Sequence, residues 1–407
     1  MSTEQAARRA KKNMEQKKNK GKFSFFSAGG SFDLPFFFLI LALLAIGLVM
    51  MFSASYAYAY YTPKFHGDSL YFLKPQLLYA ALGIALMIGV SLIDYRVLHF
   101  WSLIFMGISY ALLVIVLFMP AQNGAHRWIP YPINFQPSEI AKFALIATFA
   151  HLMSKYHDKM GTFRWGVLPY ILILGSISAL MIAEPHLSGT ILMCLIGIIM
   201  MLIGGTKPKW FIIAISAGLI LFVWVFFFPQ YLPGPLADIV TEKLAHGFTR
   251  IEVWQDPFSD PKGTGWQTIQ SLYAIASGGF MGVGLGNSRQ KYMYISEPQN
   301  DFVFAVVCEE LGFVGAAVII ILFALLVWRG FAIAMKAEDK FGALLAVGLT
   351  VQVGLQAFLN IAVVTNLIPN TGISLPFFSY GGSSLVMLLA QMGVVLSVSR
   401  GARLRKR

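Results

Sequence analysis

"SEPQNDFVFAVVCEELGFVGAAVIIILFALLVW", Ser296 to Trp328, is the stretch whose reading decides the fold. It begins polar, turns apolar at Phe302 and stays so to Trp328. That is enough for a helix across a bilayer core, which needs about 20 apolar residues. Yet Asp301 stands at the lip of the run, and Glu309 and Glu310 lie inside it. Ionisable side chains within a span are costly and usually face a cavity or a partner. The stretch reads as a membrane helix with chemistry at its polar end.

The rest of the chain agrees. Of 407 residues, 57% are hydrophobic and only 12% charged, with a mean hydropathy of +0.68. This composition excludes an ordinary soluble domain. Apolar runs at 34–55, 76–93, 98–119, 138–154, 166–183, 188–205, 210–228, 302–328, 342–366 and 375–399 predict ten spans. All are expected to be helical, because an open sheet edge cannot be satisfied in lipid. The expected fold is thus an all-α polytopic membrane protein, with a basic tail at 1–33, a membrane domain at 34–399 and a basic end at 400–407. Its largest connection, residues 229–301 between the seventh and eighth spans, is longer than a passive connector needs. Within it, 236–246 carries a helical apolar stripe suited to the membrane interface.

Charge sets the sidedness. With ten spans both termini share one side, and 22 of the 31 Lys/Arg fall there. Positive charge marks the cytoplasm, so both termini are expected inside. The basic tails suit topology and anionic headgroups rather than nucleic acid. Twelve of the 19 Asp/Glu, Asp301, Glu139 and Glu184 among them, fall on the outer half. Cys194 and Cys308 lie in separate apolar runs and form neither a disulfide framework nor a metal site.

Asp301 immediately precedes the apolar run, which is the place for a helix N-cap. A cap would keep it ionised, since a helix N-terminus lowers a carboxylate's pKa. The functional alternative is a general base at the mouth of a cavity. Glu309 and Glu310 lie about 12–13 Å deeper at about 1.5 Å per residue. One is expected to face a polar cavity and the other to pair with a neighbouring helix, neither being catalytic.

Other constellations crowd the same side. In "QPSEIAK" Ser138 suits a helix cap, and Glu139 and Lys142 share a face and can pair. Arg127 precedes Trp128, and "EPHLSGT" makes a short outer turn. Gln270 lies off the apolar stripe of "GWQTIQSLYAIASGG". "GGFMGVGLGNSRQK" lacks the flanking strand of a nucleotide loop, but Arg289 and Lys291 beside glycine-rich backbone suit a phosphate. Ser379, Gly381 and Gly382 in "NTGISLPFFSYGGSS" place hydroxyl and glycine at membrane depth, tolerated where backbone lines a cavity.

Taken in order, "GAHRWI", "QPSEIAK", "EPHLSGT", "RIEVWQDPFSDPKGTGWQTIQSLYAIASGGFMGVGLGNSRQKYMY", "PQNDFVFAVVCEELG" and "TGISLPFFSYGGSS" resemble the SEDS family (shape, elongation, division and sporulation), closer to its FtsW/SpoVE branch than to RodA. The resemblance implies a peptidoglycan glycosyltransferase of the bacterial cytoplasmic membrane. It would polymerise lipid II outside the cell into β-1,4 glycan strands, with inversion and loss of undecaprenyl pyrophosphate. The family's essential aspartate, in its "HTDF" motif, falls on Asp301, with Gln299 and Asn300 replacing the His and Thr. By the same resemblance Asp301 is the general base. Arg127, Glu139, Lys142, Gln270, Lys291, Ser379, Gly381 and Gly382 become substrate-binding candidates. Implied partners are a class B penicillin-binding protein transpeptidase and other divisome or elongasome membrane proteins. A divalent cation, Mg2+ or Mn2+, would suit a pyrophosphate, though no residues here have metal-site spacing. A flippase for a lipid-linked precursor is the competing class, and it would need polar groups reaching both faces.

Overall fold

The computed structural model describes residues 31–120, 127–130, 135–227, 251–263 and 265–404. The expectations for the tail at 1–30, the interfacial helix at 236–246 and residues 405–407 lie outside the described residues.

Helices occupy each of the ten predicted runs: α1 (Leu34–Tyr61), α2 (Leu73–Leu92), α3 (Val97–Leu117), α4 (Pro137–Lys155), α5 (Leu168–Ala183), α6 (Leu187–Ile203), α7 (Pro208–Phe227), α9 (Val303–Met335), α10 (Lys340–Val364) and α11 (Gly382–Leu404). An eleventh, α8 (Trp266–Gly278), lies between α7 and α9. Among the described residues there is one isolated β-bridge, Ile129 to Phe135, and no strand. Seven helical stretches are long and apolar enough to cross a membrane: α1, α2, α3, α5 with its preceding turn, α9, α10 and α11. The chain is an all-helical, multi-pass membrane protein.

Burial separates the centre from the rim. α10 packs against α4, α6, α9 and α11, and about 72% of its most apolar window is buried, against 28% for α2 and α3. α4 is buried along almost its whole length, from Pro137 to Met153. A helix surrounded by other helices shows little amphipathic stripe, so α4 holds Glu139 and Lys142 away from lipid. Close approach needs small residues. At Gly47 of α1 a methyl group would sit 2.3 Å from the Phe377 carbonyl oxygen. The ends of α1 and α9 are joined where Asp33 caps the Phe36 N–H at 3.1 Å and pairs with Arg329 at 2.7 Å.

The predicted boundaries need three corrections. The last span does not begin at 375: residues 366–381 are irregular, and α11 starts at Gly382. The segment is buried at Ile373, Leu375, Phe377 and Phe378, and three of its carbonyls, those of Ile373, Ser374 and Ser379, accept from side-chain amides of the spans. Gln356 Nε2 donates to the Ser374 carbonyl at 3.1 Å and Gln76 Nε2 to that of Ser379 at 3.3 Å. Irregular backbone survives at membrane depth only when so satisfied. Secondly, Ser138 does not cap α4. Pro137 occupies the first turn, Gln136 holds the cap position without a side-chain bond, and the buried Ser138 hydroxyl has no partner among the described residues. Thirdly, α9 is interrupted at Gly312 (φ 65°, ψ −167°).

Candidate active site

The break in α9 answers why two glutamates lie inside an apolar run. The glycine-rich segment after α8 folds back against it. Val283 and Gly284 donate backbone N–H to the Glu309 and Glu310 carbonyls at 3.0 Å each, and Phe313 N–H reaches Gly279 O at 2.9 Å. The side chains hold the next turn. Glu309 accepts from the backbone N–H of Arg289 (2.9 Å) and Gln290 (3.3 Å) and from the hydroxyl of Ser288. Glu310 accepts from Ser53 Oγ of α1 at 2.7 Å and pairs with Lys291 Nζ at 2.8 Å, both side chains fully buried. Successive backbone N–H groups form an anion-binding concavity, and here the protein's own carboxylates fill it. Neither glutamate lines the cavity containing Asp301. The expectation that one of them faces it is corrected, because both are taken up by this loop. Lys291 likewise lies outside that cavity, engaged by Glu310, Ser53 and the Gly286 carbonyl.

The segment then leads to Asp301, where three consecutive carbonyls are held by three different donors. Tyr380 N–H donates to Gln299 O at 2.8 Å, Ser379 Oγ to Asn300 O at 2.7 Å, and Asn360 Nδ2 to Asp301 O at 2.7 Å. Asn360 is a fully buried amide in the last turns of α10 and also reaches Ile373 O at 2.6 Å. Such multiple anchoring holds a loop residue with the precision of a rigid element.

Asp301 does not cap α9. The helix begins at Val303, Phe302 takes the cap position, and no side-chain bond is made there. The carboxylate instead lines a cavity of about 740 Å³ with Arg127, Glu297, Asn300, Trp254, Gln267, Ser188, Asn366 and Asn370 to Gly372. A methyl group on Gly372, whose φ is 68°, would meet Asp301 Oδ2 at 3.1 Å, so glycine leaves that face of the carboxylate open. Burial first, then the Glu297 charge, pushes the Asp301 carboxyl up to about 6, against the opposing pull of Arg127. The lowered value expected of a cap is therefore replaced by a raised one. A carboxylate of raised pKa is a better base and is typical of catalytic sites.

Arg127 is the cation of the cavity, donating to the Pro185 carbonyl. Behind it, burial raises the Glu184 carboxyl to about 7, and burial with the charges of Arg127 and Lys142 lowers His186 to about 3. Glu139 and Lys142 pair at 2.9 Å, both buried. They do not line the large cavity. Glu139 instead lines a smaller one of about 30 Å³ with Ser379, Gly381, Gln352 and Gln356. Gln270 is buried in α8 and lines neither. Gly382 packs on Tyr79, whose ring a methyl group would meet at 2.5 Å. Of the predicted residues, Asp301 and Arg127 share the large cavity, and Glu139, Ser379 and Gly381 share the small one.

Sequence reasoning missed Glu297 and Asn360 as site residues. Asn360 carried a readable signal, as one of three amides, with Gln352 and Gln356, spaced four residues apart within an apolar span. The tie between Trp254 Nε1 and Asn366 O (3.0 Å), returned by Asn366 Nδ2 to Trp254 O (3.2 Å), joins segments 112 residues apart and had none.

A multi-helix membrane bundle with a polar, carboxylate-bearing cavity defines the class, and comparison with known proteins gives the family. A family described as cell cycle proteins, FtsW, RodA and SpoVE, matches residues 34–404. Stage V sporulation protein E of Bacillus subtilis (strain 168) is 40% identical over 91% of this chain and 98% of its own. The probable peptidoglycan glycosyltransferase FtsW of Geobacter sp. (strain M18) is 41% identical over the same shares. Among solved structures, a chain of a peptidoglycan synthase complex that coordinates polymerization and crosslinking superposes with TM-score 0.73 at 28% identity, covering 91% of this chain and 98% of that one. Thermus thermophilus rod shape determining protein RodA gives 0.63 at 26%, covering 91% and 97%. The chain belongs to the FtsW/RodA/SpoVE family.

Proposed function

We propose that this protein is a peptidoglycan glycosyltransferase that polymerises lipid II on the outer face of the bacterial cytoplasmic membrane. The observation that carries the reading is Asp301, a carboxylate with no hydrogen-bond donor among the described residues, held in a cavity beside Arg127. The names of its relatives support the same reaction. All ten long helices would cross the membrane, with both termini in the cytoplasm and the cavity opening outward, a topology that the distribution of Lys/Arg supports.

Asp301 takes the proton from the acceptor sugar's 4-hydroxyl as that oxygen attacks the donor's anomeric carbon. The bond to the pyrophosphate breaks as the glycosidic bond forms, with inversion. Arg127 offsets the charge developing on the leaving pyrophosphate. Asn300, Gln267 and Thr371 present neutral polar groups suited to sugar hydroxyls. Glu139, Lys142, Ser379 and Gly381 act from behind, supporting the irregular segment that pins Asp301. Lys291 and Gly382 have structural rather than substrate contacts here, and Gln270 stays a candidate only through movement of α8. The described residues hold no group of three or more His, Cys, Asp or Glu able to bind a metal ion.

The likeness to a chain of a peptidoglycan synthase complex that coordinates polymerization and crosslinking supports a crosslinking transpeptidase as partner, a class B penicillin-binding protein. The test is purified protein given labelled lipid II, with and without that partner and with and without divalent cation. Glycan strands support the reading. Their absence in every condition, with lipid II instead carried across a vesicle membrane, would replace it with transport.

A further inference from the structure

Glu297 lines the same cavity as Asp301 and Arg127 and has no assigned role. It precedes Asp301 by one tight turn, closed by Asn300 N–H to Glu297 O at 3.0 Å, and its own backbone is left-handed at φ 50°. A non-glycine residue in that region is strained and persists where its surroundings fix it, often at functional sites. Asn300 Nδ2 clamps one carboxylate oxygen at 2.8 Å. The other accepts no hydrogen bond from any described residue.

The Asp301 carboxylate accepts no hydrogen bond from any described residue, so its readiness to take a proton is set by burial and by nearby charge. Its own segment contributes Glu297 and the segment at 127–130 contributes Arg127. The other walls bring neutral groups: Ser188 from α6, Val253 and Trp254, Gln267 and Thr268 from α8, and Asn366 with Asn370 to Gly372. Glu297 is therefore the only negative charge among the described residues lining the cavity with Asp301. Arg127 alone would draw Asp301 towards a permanently ionised, weakly basic form.

We propose that Glu297 is a positioning residue of the site, whose charge, held by Asn300, strengthens Asp301 as the base for the acceptor hydroxyl. This rests on the polymerase reading above. The proton passes from the acceptor oxygen to Asp301 while the pyrophosphate leaves with the electron pair of the broken bond. Glu297 exchanges no atom; it counters Arg127 so that Asp301 accepts the proton readily.

Two measurements test this, one of which needs no turnover. Carbodiimide modifies protonated carboxyls, so the pH midpoint of Asp301 modification, read by peptide mass spectrometry, reports its proton affinity directly. In Glu297→Gln that midpoint moves about one unit lower, and in Glu297→Asp it stays near the wild-type value. In lipid II polymerisation the acidic limb of the rate profile moves the same way, and the plateau falls roughly 3- to 10-fold as the base weakens. Unchanged midpoints in Glu297→Gln overturn the proposal, whatever happens to activity. Undiminished polymerisation by Asp301→Asn would instead overturn Asp301 as the base, and absence of strands from the wild type in every condition would overturn the polymerase reading, while the charge coupling stays measurable by modification.

Discussion

The side-chain amide of Asn360 donates to the main-chain carbonyl of Asp301 at 2.7 Å, joining the C-terminal end of α10 to the residue that carries the chemistry. Asn360 is fully buried and its second bond, to Ile373, fixes the irregular segment on the other side of the cavity. One amide thus sets the distance between two walls of the site.

Asn360→Ala should reduce glycan-strand synthesis by roughly 10- to 100-fold, since small misplacements of a reacting group have effects of that size. Two buried carbonyls also lose their donor, at about 1–3 kcal/mol each when unsatisfied. Rate and thermal unfolding measured on one detergent preparation check both effects. A variant that unfolds normally and polymerises at the wild-type rate contradicts the positioning role.

Lys291 and Glu310 form a buried pair, so removing one charge strands the other. Glu310→Leu should cost about 3–5 kcal/mol of stability. The double variant Glu310→Leu with Lys291→Met should recover part of this, because no charge is then left uncompensated. A double-mutant cycle by thermal unfolding reads the coupling. Strict additivity would show that the pair is not the latch of the glycine-rich segment.

Glycine is required where that segment meets α9. A methyl group at Gly282 would lie 2.2 Å from the Glu310 carbonyl oxygen, and one at Gly312 would lie 2.2 Å from Gly282 N. At Gly286 the backbone is also left-handed, but a methyl group meets nothing within 4 Å. Gly286→Ala should therefore cost only the backbone strain of about 1–2 kcal/mol. Gly282→Ala and Gly312→Ala should lower the unfolding temperature markedly more.

The Asp301 carboxyl, raised to about 6 in the folded protein, also has a stability consequence. A raised folded value means the folded state binds the proton more tightly than the unfolded state, whose aspartate titrates near 3.9. Asp301 therefore contributes stability below the unfolded value and loses it as pH rises through about 6. Asp301→Asn should unfold at a higher temperature than the wild type at pH 7.5, and this advantage should vanish below about pH 4. Thermal unfolding across that range checks the sign.

Hydropathy located every long helix because burial in lipid and burial in protein both demand apolar side chains. Asp301 was legible because a charge at the lip of an apolar run is expensive unless used. The partners of Glu309 and Glu310 were not. They lie on a loop that returns to α9 after leaving α8, a tertiary relation that no local spacing encodes. For the same reason Lys291 read as a phosphate ligand: a glycine-rich run ends five residues before it, while its partner Glu310 is 19 residues away. Capping was misjudged at both Ser138 and Asp301. Helix ends depend on which neighbours accept the chain, and here Pro137 and the pinned carbonyls at 299–301 decide them.

The central claim is that Asp301 is the base of a lipid II polymerase, and strand formation by Asp301→Asn tests it most directly. The substitution keeps the shape of the side chain while removing its charge and basicity. With labelled lipid II and the partner transpeptidase present, wild-type protein should yield long glycan strands. The folded Asp301→Asn variant should yield none above background. Strands from that variant at the wild-type rate would contradict the account.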